Sequence, residues 1–241
     1  MAYVPWRHRL FLPLGKWVSY RLRSAWENRS MSDSAAGDTP GLEIVRVDAR
    51  RLPEVVAVHC AAFCDYPTMH YVLGAGTSGY SDRLAALISF FIDTTYLKGG
   101  TVLAVEDNGT FVAAADAVRS DSPEPQQLTD LRQALWQRLG EAARERYATY
   151  HARTQPFTPA EPHYYLSMLG VRPEYAGRGL ARPLLERVNA IAQADKNSTG
   201  VALETENPNN VGLYEHFGYR LVGQVKVGDA FESWGFFRPH S

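Results

Sequence analysis

The sequence predicts a mixed α/β fold on three observations. Asp107-Asn-Gly109 is a strong β-hairpin signal between two strand-like runs, 101–106 and 110–118. An apolar run over 164–171 breaks at Pro173 and passes through glycines into a helix-forming stretch. Strand-like and helix-like segments follow in the order β-α-α-β-β-α-β-α-β-α-β-β, which is typical of a sheet flanked by helices.

The composition favours one globular domain with an extension. At 241 residues the chain is long enough to bury a full core. Its formal net charge of −1 gives no general attraction for nucleic acid or acidic membranes, so neither is expected as a partner. No run of about 18 apolar residues occurs, so no integral membrane association is expected. We predict a cytoplasmic protein, either a monomer or a homodimer.

Residues 1–40 are predicted to be a basic extension and linker, and 41–241 the main domain. Residues 1–30 carry a formal charge of +5, which leaves −6 for the remainder. The polar run 31–40 is typical of a flexible linker. Residues 1–30 are interpreted as a basic interfacial or targeting segment, or as residues upstream of a true start at Met31. The second interpretation, or a peripheral appendage, is favoured.

Hydrophobic periodicity predicts the first elements of the domain. They are a strand over 42–47, a helix over 52–63 and a helix over 82–97. Asp48 is expected to cap the first helix, Asp65-Tyr-Pro67 to end it, and Gly99 to end the second.

One long helix is expected over 128–150. Its proposed buried face consists of Leu131, Leu135, Leu139 and Ala142. The elements after it are a strand over 164–171, a helix over 180–194, a strand over 201–205, a short helix after Pro208, and a hairpin over 219–227 and 231–237.

The cysteine and histidine patterns do not predict a metal site. Cys60 and Cys64 are the only cysteines, and no further cysteine or nearby histidine pattern completes a zinc site. They are expected to be small core residues of a protein in a reducing compartment, rather than functional thiols. The histidines lack ligand spacing, so no metal is predicted.

The glycine turn after the 164–171 strand predicts an anion site. Gly177 and Gly179 allow a tight turn and leave amides uncovered, and the helix from Leu180 directs its free N–H groups at the turn. Arg178 adds positive charge. An ordinary β-to-α turn is the alternative. Arg182 stands where a dinucleotide fingerprint needs a third glycine, and no P-loop sequence occurs.

A second group of residues, further along the chain, makes the functional prediction more specific. It contains Asn207, Tyr214, Glu215, Gly218 and Tyr219. Together with the loop Ala176-Gly-Arg-Gly-Leu-Ala181, it resembles the cofactor loop and later signature of the Gcn5-related N-acetyltransferase superfamily. The resemblance covers about residues 42–238, and Ala176 replaces the family's Gln or Arg.

The resemblance implies a mostly antiparallel sheet, flanked by helices, whose central parallel strands splay apart, and it implies acetyl-CoA as the co-substrate. The pantetheine arm would lie between the splayed strands. The implied cofactor-binding residues are Leu169, Gly170 and Val171 for pantetheine, Gly177, Arg178, Gly179, Leu180, Ala181 and Arg182 for the pyrophosphate, and Asn207 for pantetheine or the start of the next helix.

Four further segments resemble puromycin N-acetyltransferase and its relatives. These segments are Ala61-Ala-Phe-Cys-Asp-Tyr-Pro67, Glu161-Pro162, Leu203-Glu-Thr205 and Phe217-Gly-Tyr219. The resemblance implies a small-molecule amine acceptor, with the 128–150 helix over its pocket. A protein N-terminal or lysine acetyltransferase and a non-catalytic acyl-CoA sensor are the alternatives.

The catalytic residues are expected around the second group of residues. Tyr214 is predicted to be the general acid that protonates the departing thiolate. Glu204 and Glu206 share one face of their strand by alternation. Glu204 is preferred as general base because it matches the puromycin-enzyme pattern. A role in ordering the pocket or attracting the amine is the alternative for Glu204.

The acceptor pocket is expected to include Asp65, Tyr66 and Tyr165. Asp65 would pair with a cationic amine, and Tyr66 would stack against an aromatic group. The alternative for Asp65-Tyr-Pro67 is a simple turn after a helix.

Overall fold

A seven-stranded sheet organises the chain. The structure is a computed structural model, and it describes residues 42–240. The strands are β1 (Leu42–Arg46), β2 (Thr101–Asp107), β3 (Thr110–Arg119), β4 (Tyr164–Val171), β5 (Gly200–Thr205), β6 (Arg220–Val227) and β7 (Phe231–Pro239). Their order is β1-β2-β3-β4-β5-β7-β6. Among the strands that the structure describes, only β4 and β5 are parallel neighbours. The predicted mixed, mostly antiparallel fold is confirmed.

Helices flank this sheet. They are α1 (Leu52–Ala62), α2 (Pro67–Leu73), α3 (Tyr80–Leu97), α4 (Gln126–Leu139), α5 (Glu141–Thr154), α6 (Ala181–Ala194) and α7 (Val211–His216). Short 3₁₀ turns occupy Gln155–Phe157, Pro173–Tyr175 and Pro208–Asn210. Within residues 42–240, no helix is both long and apolar enough to cross a membrane.

The sheet has a separate hydrophobic core on each face. Strand β2 contributes Val102 and Ala104 to the core with α1 and α3, and Leu103 and Val105 to the core with α6. Successive side chains of a strand point to opposite faces, so a strand covered on both sides is apolar throughout. This explains why the sequences of β2 and β3 are almost continuously apolar.

The predicted hairpin between β2 and β3 has the expected turn. Asn108 and Gly109 both have positive φ, at 49° and 83°. Positive φ at both central residues is what a tight hairpin turn requires, and Asn-Gly tolerates it.

Strands β4 and β5 separate soon after they begin. They pair at Tyr164 with Val201 and at Tyr165 with Ala202. Beyond these positions β4 stays paired with β3 through Val171, and β5 stays paired with β7 through Thr205. A bulge in β4 at Ser167 shifts the register against β3, and bulges bend strands. The result is an opening between two sheet edges.

The prediction of one long helix over 128–150 is wrong. The chain breaks at Gly140, which has φ of 84° and separates α4 from α5. Few residues other than glycine adopt this backbone conformation. The break shifts the helical phase, so Ala143 is buried and Ala142 is exposed. Leu135 and Leu139 are buried as expected.

Two further local predictions are wrong. Asp48 does not cap α1, since its side chain accepts a hydrogen bond from the Arg50 amide at 2.8 Å and the helix begins at Leu52. Asp65-Tyr-Pro67 ends α1 but also opens α2, which the sequence analysis missed. Pro67 is the first residue of α2, a position where the missing N–H costs nothing.

Candidate active site

The turn from β4 into α6 exposes a row of unpaired amides. Gly177 and Gly179 both have φ of 77°. In the described chain, the N–H groups of residues 177–181 donate no hydrogen bond to a protein acceptor, whereas Ala176 and Arg182 do donate one. These amides lie at the N-terminal, positive end of α6, which runs to Ala194. An anion is the group that such a turn binds.

Cationic side chains flank these amides. The Arg178 guanidinium lies 4.5 Å from the centre of the Tyr175 ring. The Tyr175 hydroxyl donates to Asp107 Oδ2 at 3.0 Å, which fixes the ring. Arg182 is exposed and donates to Glu186 Oε1 at 2.8 Å. Ala176 is exposed and adds no polar group, so the backbone and these arginines supply the positive charge.

The free edge of β4 holds the residues predicted for pantetheine. Leu169, Gly170 and Val171 pair on their other side with Ala115, Ala114 and Ala113 of β3. Gly170 also allows α1 to approach, because an added Cβ would lie 2.8 Å from His59 Nδ1 and 2.9 Å from Ala62 Cβ. The glycine is therefore needed for packing as well.

Tyr214 lies on α7 beside the second core. Its side chain is buried and packs against the rings of Tyr219 and Phe236, at centroid distances of 5.8 and 5.6 Å. Burial, and secondarily the charge of Glu206, raise the pKa of the Tyr214 phenol well above its usual range. The phenol therefore keeps its proton at neutral pH.

Asn207 caps the turn that follows β5. Its Oδ1 accepts a hydrogen bond from the Asn209 amide at 3.0 Å. This is the helix-start role that asparagine commonly has. Its contact with pantetheine stays a prediction.

Glu204 is held by one of the predicted pocket residues. The Tyr165 hydroxyl donates to Glu204 Oε2 at 2.5 Å. Burial raises the pKa of Glu204 to about 7, against the lowering effect of the Tyr165 hydrogen bond, while the charge of Glu206 raises it further. A carboxyl group that titrates near neutrality is suited to take up and release protons at physiological pH.

Glu206 is a further buried carboxylate. Its Oε1 accepts hydrogen bonds from the Tyr150 hydroxyl at 2.9 Å and the Ser233 hydroxyl at 2.8 Å. Burial raises its pKa, and these donors oppose the shift. The predicted alternation, which puts Glu204 and Glu206 on one face, agrees with this arrangement.

The two carboxylates are surrounded by hydroxyl groups rather than by cations. Tyr150 and Tyr165 donate to them, and the charge of Glu204 raises the pKa of Tyr147, after the larger effect of burial. Among residues 42–240, no Lys, Arg or His nitrogen forms a salt bridge with either carboxylate. We call Glu204, Glu206, Tyr147, Tyr150 and Tyr165 the carboxylate–phenol cluster.

Tyr147 and Tyr150 were not among the site residues predicted from the sequence. Their spacing of three places them on one face of α5, but nothing in the local pattern connects that face to β5. Only the tertiary packing of α5 brings them to the carboxylates.

Tyr66 contacts the C-terminal end of β5. Its hydroxyl lies 3.0 Å from Thr205 Oγ1 and accepts a hydrogen bond from the Glu206 amide at 2.9 Å. Its ring packs edge-on against Phe63 at 5.0 Å. Tyr66 therefore joins the loop after α1 to the end of β5.

Asp65 is not brought into the carboxylate–phenol cluster. Its side chain is 95% exposed, and its carboxylate lies 3.0 Å from His70 Nε2. A role for Asp65 in binding the amine stays a prediction, although the neighbouring Tyr66 does reach the site.

The two cysteines differ in environment. Cys60 is half-buried against the first core, as expected, but Cys64 is exposed because it lies beyond the end of α1. Burial raises the pKa of the Cys60 thiol to about 11, which disfavours the reactive thiolate. In the part of the chain that the structure describes, no three His, Cys, Asp or Glu residues are placed to hold a metal ion.

The chain belongs to the acetyltransferase (GNAT) family, whose family model matches residues 62–219. It is therefore an acetyltransferase of the acetyl-CoA-dependent class, and acetyl-CoA is the expected co-substrate. The amides of residues 177–181 and the open edge of β4 fit such a ligand, because they offer unpaired donors and acceptors along its length.

Solved structures share this fold. An acetyltransferase from Corynebacterium glutamicum, described as histone acetyltransferase HPA2 and related acetyltransferase, is 23% identical with a TM-score of 0.64, covering 84% of this chain and 98% of its own. The Drosophila melanogaster polyamine N-acetyltransferase, which forms N-acetylagmatine, is 18% identical with a TM-score of 0.55, covering 81% and 98%. The NatC complex bound to Gag peptide and CoA is 14% identical with a TM-score of 0.50, covering 84% of this chain and 100% of its own. At these identities the likeness shows the fold, not the acceptor.

Proposed function

We propose that the protein transfers the acetyl group of acetyl-CoA to a primary amine of a small molecule. The observation that carries the proposal is the carboxylate–phenol cluster, which contains no cationic side chain of the described chain and whose Glu206 is near enough to Tyr214 to raise its pKa. An amine reaches an enzyme mostly as its ammonium form, and buried carboxylates with only hydroxyl partners attract that form.

The cofactor would be held mainly by backbone groups that have no other partner within the described residues. The amides of residues 177–181 would bind its pyrophosphate, with Arg178 and Arg182 adding positive charge. The free edge of Leu169, Gly170 and Val171 would bind its pantetheine arm. Bound acetyl-CoA supplies the thioester carbonyl that accepts the amine and the thiolate that departs.

Two side chains would move the protons. Glu204, whose pKa is about 7, would accept a proton from the acceptor ammonium, directly or through a water molecule, and leave a neutral amine. Tyr214, whose pKa is raised, would donate its phenol proton to the departing thiolate. The ammonium nitrogen loses two protons in all and gains the acetyl group. Glu204 takes the first proton before the attack and passes it to solvent. The second proton leaves the nitrogen as the thiolate departs, and it replaces the proton that Tyr214 gives to the sulfur.

Aromatic residues around the cluster support a small acceptor. Phe231 lies at the start of β7 and packs against Tyr71 of α2 at 5.6 Å and Tyr150 of α5 at 6.1 Å. These contacts join α2, α5 and the start of β7 at Tyr150, a member of the cluster. Aromatic packing beside the carboxylates favours a small molecule over an extended peptide. The resemblance of residues 61–67 and 203–205 to puromycin N-acetyltransferase supports the same acceptor class.

Substitution of Tyr214 tests this proposal. Tyr214→Phe should keep the calorimetric affinity for acetyl-CoA and lower kcat by about 100-fold or more, the usual contribution of a positioned acid. Tyr96→Phe, at an exposed position on α3, is the matched control. Unchanged kcat in Tyr214→Phe would remove the acid role. Turnover of peptides but of no small amine, puromycin included, would instead assign a protein acetyltransferase.

A further inference from the structure

Two carboxyl groups lie close together at the end of β5. Glu204 is in the strand and Glu206 is the first residue after it, so at the rise of an extended chain their Cα atoms are about 6.5 Å apart. Glu206 is 6% exposed, and Glu204 is partly buried. The end of β5 therefore brings together two carboxyl groups rather than one.

Hydroxyl groups of the protein do not neutralise this charge. Tyr165 donates to Glu204, and Tyr150 and Ser233 donate to Glu206. These bonds satisfy some oxygen lone pairs but supply no positive charge. A buried carboxylate without a cation carries a large desolvation cost. Neither carboxylate therefore has a cationic partner among the described residues, and a ligand with two positive charges would supply one to each.

A buried hydroxyl beside Glu206 also lacks a partner. Thr68 is 8% exposed, and its Oγ1 makes no hydrogen bond within the described residues. It faces the Glu206 carboxylate, whose pKa it helps to lower, but without the geometry of a full hydrogen bond. Buried polar atoms without partners are rare in folded proteins. Thr68 therefore offers a second polar group, beside Glu206, to a ligand N–H donor.

We propose that the preferred acceptor is a small aliphatic molecule with two cationic nitrogens about 6 Å apart, one held by Glu206 and the other presented at Glu204 for acetylation. This rests on the proposed function. It assigns Glu206 and Thr68 to specificity and leaves proton removal with Glu204.

The second cation also affects the proposed acid. The charge of Glu206 contributes to the raised pKa of Tyr214. An ammonium group bound at Glu206 offsets that charge, so Tyr214 releases its proton more readily. A dicationic acceptor should therefore improve kcat as well as KM, which a passive anchoring site would not do.

The test compares 1,4-diaminobutane with butylamine, which has the same chain and only one nitrogen. With saturating acetyl-CoA, kcat/KM for the diamine should exceed that for the monoamine by about 10- to 100-fold, the range of a charge-assisted hydrogen bond. Equal values would overturn the inference and leave the proposed function intact. Turnover of neither, nor of any other amine, would instead reject the proposed function. Thermal melting without cofactor gives a second readout, since only the diamine should raise Tm.

Three variants separate a specific role from a structural one. Glu206→Gln keeps acceptors for Tyr150 and Ser233 but removes the charge, so the ratio of diamine to monoamine kcat/KM should fall close to one. Glu206→Asp keeps the charge and shortens the reach, so the preferred diamine should become one methylene longer. Glu43→Gln, exposed on β1, should keep the wild-type ratio. An undiminished ratio in Glu206→Gln, or an unchanged length preference in Glu206→Asp, would contradict the assignment.

Discussion

Removing the Tyr165 hydroxyl should move the pH dependence of the reaction. Tyr165 donates to Glu204 Oε2 at 2.5 Å, and this bond favours the ionised carboxylate. Without it, the pKa of Glu204 rises above its present value of about 7. The acid limb of kcat/KM, which reports the deprotonation of the base in the free enzyme, should therefore move to higher pH in Tyr165→Phe.

The size of the shift follows from the strength of the bond. A hydrogen bond to a charged group contributes about 1.5–3 kcal/mol, and one pKa unit corresponds to about 1.4 kcal/mol. The acid limb should therefore move by about 1–2 pH units. Glu204 is partly exposed, which favours the lower end. At pH 7 the variant should be about ten times slower, and at pH 9.5 it should approach the wild type.

The assay is thiol release from acetyl-CoA with one amine over pH 6 to 10. The titration of the amine itself affects both enzymes equally, so it cancels in their ratio. Tyr164→Phe is the matched control, because it loses a part-buried hydrogen bond to Asp195 at 3.3 Å and not one to Glu204. An acid limb that stays in place in Tyr165→Phe, or a uniform loss at every pH, would refute Glu204 as the titrating base.

Three further predictions concern stability and the pocket. Glu204→Gln should raise the free energy of unfolding, measured with urea, by about 2–3 kcal/mol at pH 8 and by little at pH 5. The reason is that the pKa of Glu204 is raised in the folded state, so the wild type loses stability as pH rises from about 4.5 through about 7. Equal effects at both pH values would contradict this. Gly170→Ala should lower the free energy of unfolding by about 1–3 kcal/mol in the same assay, because its Cβ would lie 2.8 Å from His59 Nδ1. Gly212→Ala is the control, because an added Cβ at that position meets open space. Arg146→Ala removes two hydrogen bonds to the Val72 carbonyl at 2.8 and 3.1 Å, which hold α2 against α5. The KM for the amine should therefore rise several-fold, and the affinity for acetyl-CoA should stay the same. An unchanged KM would show that α2 does not contribute to amine binding.

The fold was predictable where one local signal decides the structure. Asn108 and Gly109 fix a hairpin turn through their backbone preferences alone. The 164–171 strand and the helix after Gly179 were predicted almost to the residue, because proline and glycine mark their ends. These segments contain the residues of the proposed cofactor site, which explains why that site could be predicted from the sequence.

The acceptor pocket depends on long-range packing that local patterns do not encode. Gly140 divides the expected long helix, and the break decides which face of α5 meets β5. Tyr150 and Glu206 are 56 positions apart and meet only in the folded chain. Alternation correctly paired Glu204 with Glu206, but it gave no sign of the phenols that surround them. Residues 1–40, predicted to be an extension, lie outside the described residues, so that prediction stays open to experiment.

The most direct test of the account is a thiol-release assay with acetyl-CoA and a panel of amines, with the products identified by mass spectrometry. The account predicts amine-dependent release of one thiol for each N-acetylated small amine formed, and only background release without an amine. Binding of acetyl-CoA without amine-dependent release for any member of the panel would contradict the claim that the carboxylate–phenol cluster is the acceptor site of a small-molecule acetyltransferase.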